Sequence, residues 1–101
     1  MAFAKYTAPG LTLETGKELS DVLQARLHDL NDLHLILKHA HWNVTGPGFI
    51  AVHEMIDPQV DTVREFVDAI AERMATLGAT PNGLAGALVA QRPVEDYPVG
   101  R

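Results

Sequence analysis

Two long stretches with apolar residues at steps of three and four, separated by Thr45-Gly46-Pro47-Gly48, constrain this chain more than any other feature. In the first, Leu19, Val22, Leu23, Leu27, Leu30, Leu33, Leu37 and His41 form one stripe of a helix expected over 16–44. In the second, Met55, Ile56, Val60, Val63, Val67, Ile70, Met74 and Leu77 do the same for a helix expected over 49–77. Gly78 stands where a C-terminal glycine cap belongs, and Pro81 follows it. Pro58 is discordant. It has no N–H for the carbonyl of Glu54, which predicts a kink or a restart with Asp57 as N-cap. Residues 80–101 read as loop with one helical turn around 84–90.

Each expected helix is about 43 Å long at 1.5 Å per residue, and the tight turn folds the two into an antiparallel hairpin. A hairpin alone cannot bury both stripes, because helical cores need further layers. The fold class is therefore all-α: a long antiparallel helical hairpin followed by a short helix or loop, with the missing half of its core to come from partners or from sequence absent here. Residues 1–15 read as an N-terminal tail, and 16–101 as the helical domain.

Composition narrows the function classes. With 47% apolar and 21% charged residues the chain is of ordinary globular make-up. It has no cysteine, which excludes disulfide frameworks and thiolate metal sites and fits a cytoplasmic protein. No apolar run is long enough to span a membrane. A net charge of −5 concentrates cations and repels nucleic acid. Lys5 and Lys17 are the only lysines before Lys38, a poor endowment for a DNA-binding arm.

Potential metal ligands gather near the turn: His34, His39, His41, His53, Glu54 and Asp57. His41 and His53 are equidistant from the turn centre, so an antiparallel hairpin sets them level. Asp57 lies one helical turn beyond His53. Imidazole with carboxylate suits Fe, Zn or Mn(II). Asp68 and Glu72 form a second pair, at i and i+4. At about 100° per residue, Asp57, Asp68 and Glu72 share one helix face with His53, yet His53 and Asp68 are separated by roughly 22 Å of rise. They cannot hold one ion within one chain. Either the clusters are unrelated, or a second copy running antiparallel brings its Asp68 and Glu72 to His41, His53 and Asp57 across a two-fold axis. Spacing also leaves blander roles open. His41 and His53 suit buried structural histidines, and Asp68 and Glu72 suit a solvated face paired with Arg64 or Arg73. His34 and His39 read as bystanders, and Trp42 as a packing anchor.

The run His41-Trp42-Asn43-Val44-Thr45-Gly46, then five residues, Val52-His53, three more and Asp57, resembles the first signature of the Dps family of mini-ferritins. Val67-Asp68-Ala69-Ile70-Ala71-Glu72-Arg73, continuing to Leu77-Gly78 and Pro81, resembles the second, at the family's interval. The resemblance covers about residues 15–101. It implies a ferritin-like four-helix bundle, twelve subunits in a hollow shell, and ferroxidase sites at two-fold interfaces. By that likeness, one subunit supplies His41, His53 and Asp57 and its mate supplies Asp68 and Glu72. The site would hold two irons, Fe(II) going to Fe(III), with hydrogen peroxide as oxidant. Glu54 would help nucleate the ferric mineral, and Trp42 would lie beside the iron. Iron storage and protection of DNA follow, in the cytoplasm, with association with the nucleoid as a further expectation. Family members continue through two further long helices, so the chain is expected to be the N-terminal half, truncated before them. The alternatives are a non-enzymatic DNA-compacting or structural assembly protein, and an inactive truncated fragment.

Overall fold

Thr12 opens the first helix: its hydroxyl accepts the Thr15 N–H at 3.1 Å, satisfying one of the donors left over at a helix start. In the structure, a computed structural model that describes residues 2–92, 95, 96 and 98–100, α1 spans Leu13–Asn43 and α2 spans Phe49–Leu77. A third helix, α3, spans Ala85–Gln91. The tail reading at Met1 and the loop readings at Pro93, Val94, Tyr97 and Arg101 lie outside the described residues. α1 begins a turn earlier than the stripe suggested because the cap sits before Leu13.

The turn works through backbone freedom at two glycines. Gly46 and Gly48 have φ of 104° and 73°, a region costly for residues with a Cβ. The Phe49 N–H reaches the Gly46 carbonyl at 3.1 Å and starts α2.

Pro58 neither breaks α2 nor makes Asp57 a cap. Pro58 and Glu54 are both exposed, on a side of α2 where water can serve a carbonyl that lacks its N–H partner. Asp57 is left to pair across the hairpin.

α1 and α2 pack along their length, and the apolar core sits toward the open end, where Leu27, Met74 and Ala79 are buried against Phe3, Leu23, Val67, Ile70 and Ala71. The N-terminal residues add to that end. Ala4 N–H donates to Gly78 O at 2.7 Å and Thr80 N–H to Ala2 O at 3.1 Å, clamping residues 2–4 to the end of α2. The expected stripes are only partly inside. Leu27, Ile56, Val60, Val63, Met74 and Leu77 are buried, but Leu19, Val22, Leu33 and Met55 are exposed. Two helices cover only the faces they turn to each other. Trp42, expected as a packing anchor, is 66% exposed.

Candidate metal centre

Next to the turn the interhelix contacts become polar. His41 and His53 stack with ring centroids 3.7 Å apart and planes 21° from parallel. Each ring's Nδ1 lies 2.8 Å from the other residue's main-chain oxygen: His41 Nδ1 from His53 O, and His53 Nδ1 from His41 O. A carbonyl oxygen only accepts, so each Nδ1 carries the proton and donates it. In the neutral ring the lone pair then sits on Nε2, the arrangement that second-sphere hydrogen bonds impose on metal-ligating histidines. His41 is buried and His53 half-buried, so both rings are held rather than free to rotate.

Asp57 stands one turn beyond His53. Its Oδ1 is 2.7 Å from Lys38 Nζ and 3.6 Å from His41 Nδ1. The hydrogen bond from Lys38 holds its carboxyl below the usual carboxylate range against a smaller opposing effect of burial, and His41, Lys38 and His53 add to the lowering by charge. One rung further from the turn, Arg64 Nε donates to His34 Nε2 at 2.8 Å. Burial first, then the Arg64 and Lys38 charges, push the His34 pKa down.

Of the residues singled out from sequence, His41, His53 and Asp57 come together. Asp68 and Glu72 are exposed on α2 and stand apart from that group, as the unbroken helix requires. Glu54 is exposed as well. Among the described residues, no group of three or more His, Asp or Glu in the single chain is arranged to hold a metal ion. Arg64 does not serve Asp68 or Glu72 but reaches His34, which thereby has a structural partner. Sequence reasoning passed over Lys38. Its place three residues before His41, opposite a carboxylate four after His53, was the available signal.

No helix among the described residues is long and apolar enough to cross a membrane. The ferritin-like domain matches residues 20–99 of the chain. The fine tangled pili major subunit of Haemophilus ducreyi is 64% identical over 98 residues, 97% of this chain and 52% of that protein. The DNA protection during starvation protein of Mycolicibacterium smegmatis is 54% identical over 96 residues, 95% of this chain and 52% of that protein. Among solved structures, a Dps from Streptomyces coelicolor superposes with a TM-score of 0.93 at 61% identity, covering 98% of this chain and 59% of that one. The chain thus spans about half the length of the curated relatives it matches. A helical hairpin with this overlay, and a ferritin-like match over most of its length, place the chain in the ferritin-like domain family, among the Dps proteins.

Proposed function

We propose that the chain supplies both halves of an intersubunit site that binds and oxidises Fe(II). His41, His53 and Asp57 would come from one copy, and Asp68 and Glu72 from a second copy related by a two-fold axis. The observation that carries this reading is the reciprocal pair of ring-to-carbonyl hydrogen bonds, which in a neutral imidazole puts the lone pair on Nε2. Two such nitrogens and a carboxylate are donor types suited to a borderline divalent ion, and the hard oxygen favours the ferric product. The exposed Asp68 and Glu72 add two more carboxylates on a face that a neighbouring copy can approach.

In the reaction, iron is the substrate. Two Fe(II) ions each give one electron to hydrogen peroxide. The O–O bond breaks, two protons are taken up, and two waters and two Fe(III) result. Taking both electrons at one site avoids release of hydroxyl radical, which is the sense in which such a site protects DNA. Glu54, exposed beside His53, would present a carboxylate to ferric product. Self-association is intrinsic to this reading, and direct DNA binding is not, given a net charge of −5.

A second reading has one specific support: the relative at 64% identity is named as a pilus subunit. A purely structural assembly protein would keep the packing faces and have no use for the iron chemistry. Peroxide-driven Fe(II) oxidation separates the two. His53→Ala and Asp68→Ala should each slow it by about a hundredfold or more in the assembled protein, in line with loss of a ligand shell member. Mixing the two inactive variants should restore activity, because one mixed interface holds one intact site and one doubly damaged site. No recovery after verified subunit exchange would overturn the shared site.

A further inference from the structure

His28 is a buried histidine toward the open end of the hairpin, and the hydrogen-bonding role of its ring follows from its partners. The Asn82 N–H donates to Gln24 Oε1 at 2.9 Å, so the oxygen of that side-chain amide faces the loop after α2. The amide nitrogen then gives one hydrogen to Asn82 O at 2.9 Å and the other to His28 Nε2, 3.0 Å away. A ring nitrogen that accepts carries no proton, so the neutral ring bears its hydrogen on Nδ1. That Nδ1 is buried without a hydrogen-bond partner. His28 thus closes a chain of bonds that ties α1 to the segment between α2 and α3, and it leaves one donor unsatisfied in doing so.

A proton on Nε2 is incompatible with this chain of bonds. The ring would then meet Gln24 with N–H against N–H. Turning the Gln24 amide over would offer the ring an oxygen, but would set the NH2 group against the Asn82 N–H. Either way a bond is lost. Its loss also lets the orphaned Nδ1–H reach water through the cavity of about 820 Å³ that His28 lines with Gln24, Asn82, Leu84 and Gln91. The open form takes a proton that the closed form refuses, so acid favours opening.

No neighbouring charge replaces the missing acceptor. From Gly78 to Gln91 the chain has no ionisable residue, and the N-terminal segment meets the cavity through Ala2. α2 packs on this stretch of α1 through Val67, Ile70 and Met74. On α1 itself, Asp21 lines the cavity two turns before His28, and Asp32, one turn after, is taken by Arg92 at 3.0 Å.

We propose that His28, Gln24 and the Asn82 main chain form an acid-released latch, which holds residues 80–84 against α1 while His28 is neutral and frees them when its ring is protonated. The release reaches the N-terminal segment, because the Thr80 N–H donates to Ala2 O at 3.1 Å. α3 stays docked through the buried Leu88 and the Arg92–Asp32 pair. The latch stands apart from the iron site and does not depend on it.

Hydrogen exchange of the Asn82 amide, expressed as protection relative to the free-peptide rate at each pH, tests the latch in the 101-residue chain. From about pH 8 to about pH 5, the span in which histidines ordinarily change charge, protection should fall roughly tenfold, as for loss of one hydrogen bond. His28→Gln, whose carbonyl can accept from Gln24 at every pH, should hold protection level. Gln24→Glu should invert the trend, since its carboxylate accepts from both the Asn82 N–H and the protonated ring and acid then tightens the contact. A packing role for His28 would give no inversion. His34→Gln should leave the fall in place, because that histidine is bonded to Arg64 instead. Constant wild-type protection over this span, a fall that survives in His28→Gln, or a Gln24→Glu chain that loosens with acid as wild type does would each overturn the proposal.

Discussion

A Cβ on Gly78 would run into the backbone oxygen of Tyr6, and the residue's φ of 98° already disfavours any side chain. The same small residue ends α2, with its N–H on Ala75 O at 3.1 Å, and gives the N-terminal segment room to lie across that end. Gly16 plays the matching part on α1, where a Cβ would meet the Thr7 side chain. Gly78→Ala should therefore lower unfolding stability by roughly 1–3 kcal/mol, read from denaturant midpoints, by combining a left-handed conformation with a steric conflict. A loss within a few tenths would mean that the segment moves aside freely. The cap role of Gly78 was legible in the sequence, because glycine after an apolar stripe and before a proline has one common use. Its contact with Tyr6 was not, because nothing local marks which distant residue will approach. The histidine pair divides in the same way: symmetry about the turn sets His41 level with His53, but no periodicity reveals that each ring reaches the other's carbonyl.

The two long helices are joined by rungs of different chemistry, and those near the turn respond to acid. His34 has its pKa lowered in the folded chain, so as pH falls through the ordinary histidine range the unfolded chain takes up the proton first, and stability drops. Asp57 is also lowered, so its contribution is present above the usual carboxylate range and is lost as pH falls through that range and below. Urea midpoints should accordingly decline in two stages on acidification. His34→Gln should flatten the first stage and Asp57→Asn the second. Curves parallel to wild type in both variants would show that these rungs carry no net energy. At this scale the sequence was most legible where the pattern is long: α2 has the bounds its stripe implied. It went too far at Pro58 in allowing a restart with Asp57 as cap, because a proline's effect depends on how the carbonyl it leaves unpaired is served, and that depends on packing.

The described chain measures 55 × 24 × 15 Å, one layer of two helices with a short third helix against α1. Such a layer leaves broad apolar faces outside. Leu19, Val22 and Leu33 on α1, with Met55 and Phe66 on α2, are all at least 40% exposed. Each such side chain gains about 1.5–3 kcal/mol when fully buried, so several together outweigh the entropy of holding two copies in one place. Sedimentation at rising concentration should show association of the 101-residue chain, with Leu33→Asp and Phe66→Asp shifting it toward the monomer. A monomer at every concentration, with slowly exchanging amides along both long helices, would mean that a single layer of this composition suffices. The stripes announced an unfinished core in the sequence itself, because their combined width exceeds what two helices can cover. Which members of each stripe turn inward was hidden, since that is set by the partner face.

Connections between helices ordinarily tolerate insertions, as they run over the surface and carry little of the packing. The reciprocal bonds between His41 and His53 leave that freedom only to the turn itself and withdraw it from the helix ends on either side. Both rings reach across from fixed heights on their helices, and the chain between them holds only the last two residues of α1, the turn and the first residues of α2. One residue added within α2 between Phe49 and His53 would instead turn the His53 ring by about 100° around the helix axis, and both bonds would fail together. The spacing from each histidine to its end of the turn is thus tied to the chemistry beside it, and a slip within either helix end would be as damaging as replacing a histidine.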